Sequence, residues 1–293
     1  MMTDYWIRIK ANIGIYASKK SSCLLDGSYR SIYKGNGMNF EDLREYVPGD
    51  DVRSIDWKAS ARSRQFLVKQ FVAEKKHNIM LVFDNALSMT ADTETDLKKY
   101  ELGLLAGGSI GYMAAKNGDN VGAVFDTEKG ISYFQAKTGL YSLERLLAFY
   151  QSGSGSGGEN SLEKSLQFIL QNLNRSMVMI LVTDEMGIHN LSDGILRKLC
   201  QRNDLLVLSV EDAYVAGKKT FDLDAGKYFP SFVTNRKRLK QEEIKFRRNL
   251  EQENDQKLLH HGISCARIRS EKMIPDAIVA LLHRHRNLKS KGK

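Results

Sequence analysis

The sequence predicts an α/β fold, a doubly wound and mainly parallel sheet preceded by an N-terminal extension. From Asn78 onward, short continuous apolar runs alternate with longer segments of helical period. Strands alternating with helices build a parallel sheet covered on both faces. The runs do not alternate polar with apolar residues, which marks strands buried on both sides. At 293 residues the chain can bury a sizeable core in one large or two modest units.

The elements follow in order. Asn78 to Asp84 is the first buried strand, and Asp96 to Lys116 is a helix whose Gly103, Gly107 and Gly108 permit close packing on a sheet. Val121 to Phe125 and Ile131 to Phe134 are strands joined by the turn residues Asp126 to Gly130. Leu140 to Tyr150 and Ser161 to Leu173 read as helices around a Gly/Ser loop, Ser152 to Gly158, expected to be a mobile rim loop. Met177 to Asp184 is the clearest buried strand. A helix near Leu191 to Arg202 then leads to the strand Leu205 to Val210. Phe221 to Phe229 predicts a small β-hairpin, and a charged helix runs from about Thr234 to His261, stopped by Gly262. Ile263 to Ile268 and a last helix, Ile274 to His285, complete the pattern.

Composition excludes several classes. No run reaches the roughly 20 apolar residues of a membrane span, and Asp4, Arg8 and Lys10 interrupt the N-terminus where a signal peptide needs an uncharged core. Cys23, Cys200 and Cys265 are odd in number and widely separated, which suits reduced thiols in a cytoplasm. From Thr234 to Lys293 there are 16 Lys and Arg against 7 Asp and Glu, while the rest of the chain balances at 28 and 28. The surplus fits a solvated helix end, with an acidic protein partner as the alternative. No aromatic residue follows Phe246, so base stacking has no platform there and nucleic-acid binding is not expected.

The segment Gly35 to Trp57 mixes Phe40, Leu43, Tyr46, Val47, Ile55 and Trp57 with Asp42, Arg44, Asp50, Asp51, Arg53 and Asp56. Arg presents a planar fork that matches a carboxylate, so Arg44, Arg53 and Arg62 are natural tethers for these acids. Pro48-Gly49-Asp50-Asp51 reads as a turn. The block is expected to act as a structural clamp rather than a catalytic carboxylate cluster.

In parallel sheets, ligands bind beyond the carboxyl ends of the strands. Asp84 and Asp184 close the two strongest buried runs, and Asn160-Ser161 follows the Gly/Ser loop. Two strand-end carboxylates with nearby hydroxyl and amide oxygens could cradle magnesium. They could equally cap helix N-termini.

Gly35 to Trp57, continuing through Lys58 to Arg62, Leu67 to Glu74 and Leu81 to Met89, closely resembles the signature of the domain of unknown function 58 family. The resemblance implies a von Willebrand factor A (Rossmann-like) domain over residues 76–293, with a hairpin near residues 220–230, after a family-specific segment over residues 1–75. It further implies a bacterial, cytoplasmic protein acting beside a MoxR-type AAA+ ATPase in protein assembly or maturation. The A-domain's metal-ion-dependent adhesion site uses Asp-x-Ser-x-Ser, a Thr and a later Asp. By this pattern Asp84, Ser88, Asn160 (or Ser161) and Asp184 are the candidate ligands for Mg2+, and Ala86 supplies no oxygen where the first Ser is expected.

Three functions compete. The first is a non-enzymatic interaction module binding a protein through the strand-end rim. The second is a metal-assisted hydrolase using Asp42, Asp50, Asp51 or Asp56, although the sequence holds no HExxH or GxSxG motif. The third is a basic nucleic-acid-binding protein. No catalytic residue is assigned.

Overall fold

The computed structural model describes residues 5–11, 40–71, 76–95, 97–158, 160–213, 221–222, 227–228 and 237–291. Residues 27–76 form one unit, and residues 1–26 together with 77–293 form the other. The helix over residues 5–11 lies in the second of these units.

In the smaller unit, β1 (Phe40–Glu45) pairs antiparallel with β2 (Leu67–Phe71). Between them, Val47 accepts from the Asp50 amide across Pro48-Gly49, and Gly49 takes φ +112°. Only glycine adopts that backbone cheaply. A single 3-10 turn (Val52–Ser54) and a short helix (Trp57–Ser63) complete the hairpin connection. These two strands were not expected from the sequence.

The larger unit is built on a six-stranded sheet. Its strands are β3 (Asn78–Phe83), β4 (Asn120–Thr127), β5 (Gly130–Lys137), β6 (Val178–Asp184), β7 (Asp204–Val210) and β10 (Ser264–Ile268). Their spatial order is β10-β7-β6-β3-β4-β5, all parallel except β5, which pairs antiparallel with β4 at the edge. β6 lies at the centre with all seven residues buried, as a two-sided strand requires. β5 alternates in burial because only one face is covered. The predicted hairpin is present as β8 (Phe221–Asp222) and β9 (Lys227–Tyr228), paired antiparallel.

Successive strand side chains point to opposite faces, so each face has its own core. On one, Met80, Val82, Met179, Leu181, Leu205 and Val207 meet the helices Ser161–Asn172 and Asp193–Cys200 through Leu162, Leu166, Ile169, Leu196 and Leu199. The other face receives the long helix Lys99–Lys116. Its glycines let the backbone approach the sheet, and a Cβ at Gly107 would lie 2.8 Å from Phe83 Cε1 and 3.1 Å from Val182 Cγ2. The helix over residues 5–11 adds Ile9, which packs where a Cβ on Gly108 would fall.

The region near Leu191 to Arg202, expected as one helix, is preceded by a further helix, Glu185–Asn190, that leaves β6 without a loop. The helix Lys237–His260 buries Leu250, Asn254 and Leu258, a stripe at four-residue spacing. It ends at Gly262, φ +67°, where the Gly262 amide donates to Leu259 O and the Ile263 amide to Leu258 O. The last helix, Ile274–Lys291, runs past its expected end. Its His285 is buried.

Candidate functional site

The parallel register between β3 and β6 sets Phe83 beside Val182, and the Asp84 amide continues the ladder to Val182 O at 2.8 Å. The next residues on β6 are Thr183 and Asp184. Asp84 and Asp184 therefore leave the same lip of the sheet from adjacent strands.

Both carboxylates are almost fully buried, and both are enclosed by donors. Asp84 Oδ2 accepts from Thr183 Oγ1 at 2.7 Å, and Oδ1 accepts from the Ala86 amide at 3.1 Å. Asp184 Oδ1 accepts from the Gly187 amide at 2.7 Å, so Asp184 also caps the helix Glu185–Asn190. Its Oδ2 accepts from Lys99 Nζ at 2.7 Å. Glycine is required at position 187, where a Cβ would sit 2.0 Å from Thr183 Oγ1 and 2.8 Å from Asp84 Oδ2.

Lys99 was not anticipated from the sequence. It occupies the first position of the helix Lys99–Lys116 and is 2 % exposed. A cation there faces the positive end of the helix dipole, so the carboxylates must hold it. Besides Asp184 it contacts Asp212 Oδ1 at 2.5 Å, just after β7, where the side chain is 36 % exposed.

The charges settle accordingly. Burial pushes the Asp84 carboxyl up to about 6, against the Thr183 hydrogen bond and with the Asp184 charge adding to the rise. Burial would also raise Asp184, but the Lys99 charge and the hydrogen bonds bring it below the usual carboxylate range. Burial opposes the Lys99 charge, yet the two aspartates hold its ammonium above the usual lysine value.

Magnesium needs open oxygens in octahedral geometry. Here Ala86 offers no oxygen, and the Lys99 ammonium lies against Asp184 and repels a second cation. The donor set as folded does not fit magnesium. Asn160 is exposed at the N-cap of the helix Ser161–Asn172 and its side chain makes no capping bond. Ser161, the alternative, is buried and accepts from the Asn85 amide at 3.1 Å.

Asn85 is the second residue missed from the sequence. Its Nδ2 donates to Asp126 O at 2.7 Å and to Gly153 O at 2.8 Å, while its Oδ1 accepts from the Gly155 amide at 2.8 Å. The Gly157 amide donates to Asn85 O at 2.9 Å. The Gly/Ser loop is thus tied to the strand end, in contrast to the mobile loop expected.

Around the buried polar centre the rim is apolar and open. Leu87 is 50 % and Met186 41 % exposed, and Ser88 is exposed as well. Beside Met186 an open groove of ≈ 410 Å³ is lined by Glu185, Asp212, Leu239, Phe246 and Leu250 among others.

The residues of the acidic N-terminal block serve local structure. Arg44 grips Asp50 with both guanidinium nitrogens, at 2.8 and 2.6 Å, and Asp50 also accepts from the Val47 amide. Asp51 accepts from the Arg53 amide, and Asp56 caps its helix through the Lys58 and Ala59 amides. Trp57 is 61 % exposed and meets Phe66 edge-on. Asp42 lies on β1 paired with Gln70, and Arg62 is in the last turn of the short helix.

Among known proteins, "Uncharacterized protein Rv1480" of Mycobacterium tuberculosis is 25 % identical over 198 residues, 66 % of this chain. The chain spans 61 % of that relative's length. Among solved structures, the hypothetical protein BatB from Bacteroides thetaiotaomicron aligns over 72 % of this chain and 99 % of its own, with TM-score 0.45 and 14 % identity. A von Willebrand factor type A protein from Catenulispora acidiphila aligns over 73 % of this chain and 43 % of its own, with TM-score 0.40 and 11 % identity. The model of the family described as "Protein of unknown function DUF58" matches residues 42–216. Matching more than half of the chain, it establishes that this protein belongs to the DUF58 family.

Proposed function

We propose that this chain is a non-enzymatic protein-interaction module that docks its partner at the carboxyl edge of the central sheet. The observation that carries the reading is the composition of that edge: Leu87, soon after Asp84, and Met186, soon after Asp184, both stand exposed. Exposed apolar side chains around a fixed polar centre suit protein recognition, where apolar contact supplies affinity and the polar groups set orientation. The groove beside Met186 extends the same surface with Phe246, itself 60 % exposed.

The competing readings find less support. Asp50, Asp51 and Asp56 are committed to Arg44 and to backbone amides, which leaves them poorly suited to hydrolysis. Three arginines of the basic C-terminal region meet carboxylates of their own chain: Arg247 meets Glu243, Arg267 meets Asp255 and Arg269 meets Glu211. Cations engaged in this way offer less to phosphates.

The partner we propose is a MoxR-type AAA+ ATPase, and the role is in protein assembly or maturation. Co-purification with such an ATPase tests this. Met186→Glu, which puts a charge on the rim without touching the core, should abolish capture of the ATPase. Undiminished capture by this variant would remove the rim from the interface.

A further inference from the structure

We propose that the ammonium of Lys99 is the rim's permanent cation, doing the work of a divalent ion, so that docking at this edge is independent of metal. The inference rests on the docking reading above and says how that site is charged.

The argument starts from the charge balance. Two buried carboxylates on adjacent strand ends need a compensating cation, because an unpaired buried charge is prohibitively unfavourable. A metal is one solution and an internal ammonium is another. Lys99 Nζ lies 2.7 Å from Asp184 Oδ2 and 2.5 Å from Asp212 Oδ1. Its side chain is 2 % exposed, so the charge is carried inside the fold. Its place at the first turn of a helix opposes the dipole, and helix formation gives no reason for a cation there. The oxygens a metal would use are engaged by Thr183, Ala86, Gly187 and Lys99, and position 86 lacks a hydroxyl.

Asp212, the more exposed of the two carboxylates that Lys99 holds, covers its outer side.

The test is calorimetric titration of the full chain with Mg2+ and then Mn2+. Wild type should take up neither ion up to about 1 mM, the weak end of protein carboxylate sites. Lys99→Met, which removes the charge while keeping the bulk, should gain saturable Mn2+ binding and a higher melting temperature in its presence. A saturable site in wild type that Asp84→Asn abolishes would overturn the proposal. Binding by neither protein would also overturn it, reducing Lys99 to an ion pair of the fold. If Lys99→Met does not fold, the melting temperature of the wild-type chain alone decides. A value unchanged between excess EDTA and excess Mg2+ supports an internal cation, and a saturable rise with Mg2+ overturns it while leaving the docking reading intact. Failure of capture under every condition refutes the docking reading, and the wild-type titration then judges the cation alone.

Discussion

Replacing Lys99 by Met should destabilise the protein far more than the same change at its neighbour Lys98. Both lysines hold an aspartate at 2.7 Å, Lys99 with Asp184 and Lys98 with Asp92. Distance therefore does not distinguish them, but burial does. The Lys99–Asp184 side chains are 2 % and 1 % exposed, those of Lys98–Asp92 45 % and 61 %. Removing one partner of a buried pair strands the other and costs about 3–5 kcal/mol. An exposed pair contributes about 0–1 kcal/mol. At about 2–4 °C per kcal/mol for a domain of this size, Lys99→Met should lower Tm by about 6–20 °C and Lys98→Met by at most about 4 °C. The assay is thermal and urea unfolding followed by circular dichroism at pH 7. Adding Asp184→Asn to Lys99→Met should recover part of the loss, since the stranded charge is then gone. If Lys99→Met and Lys98→Met fall within about 1 kcal/mol of each other, the reasoning from buried charge fails.

Three further outcomes are expected. Gly107→Ala should lower stability by about 1–3 kcal/mol in urea unfolding, because the new methyl meets Phe83 at 2.8 Å and outweighs the gain in helix propensity. Asn85→Ala should cost about 2–4 kcal/mol by stranding the carbonyls of Asp126 and Gly153 and the Gly155 amide, and hydrogen exchange should rise first in the loop over residues 153–158. Glu185 is pushed up to about 7 by burial and then by the Glu211 and Glu251 charges. Ionising it in the fold is unfavourable, so its effect is to lower stability as pH rises from the usual carboxylate range through about 7. Glu185→Gln should therefore stabilise the protein at pH 8, by on the order of 1–3 kcal/mol, and have no such effect at pH 4. A gain of equal size at both values would contradict this.

The strands and helices of the α/β unit were legible because burial on both faces leaves a continuous apolar run, as in Val178 to Thr183. The carboxyl-edge rule then pointed to Asp84 and Asp184 before any coordinates. What escaped was set by tertiary pairing. β1 and β2 read as a charged segment because the stretch Asp42-Leu43-Arg44-Glu45 carries three charges in four residues, and only its antiparallel partner makes it a strand. Lys99 reads as an ordinary polar position at a helix start, since Lys98 beside it has the same composition and a solvated side chain. The available signal was weak: one of two adjacent lysines had to face the sheet. Asn85 carried a better signal, an amide immediately after a strand-end Asp and opposite a glycine-rich loop whose backbone needs donors and acceptors. Gly187 was invisible, because its requirement comes from the Thr183 hydroxyl at the end of β6 and from Asp84 at the end of the neighbouring strand.

The docking edge is tested most directly by hydrogen–deuterium exchange of this chain with and without a MoxR-type ATPase. Slowed exchange at residues 85–90 and 185–190, at the carboxyl ends of β3 and β6, is the result this account predicts. Protection confined to the opposite edge, around Asn117 to Asp119 and Asn174 to Ser176, would contradict it.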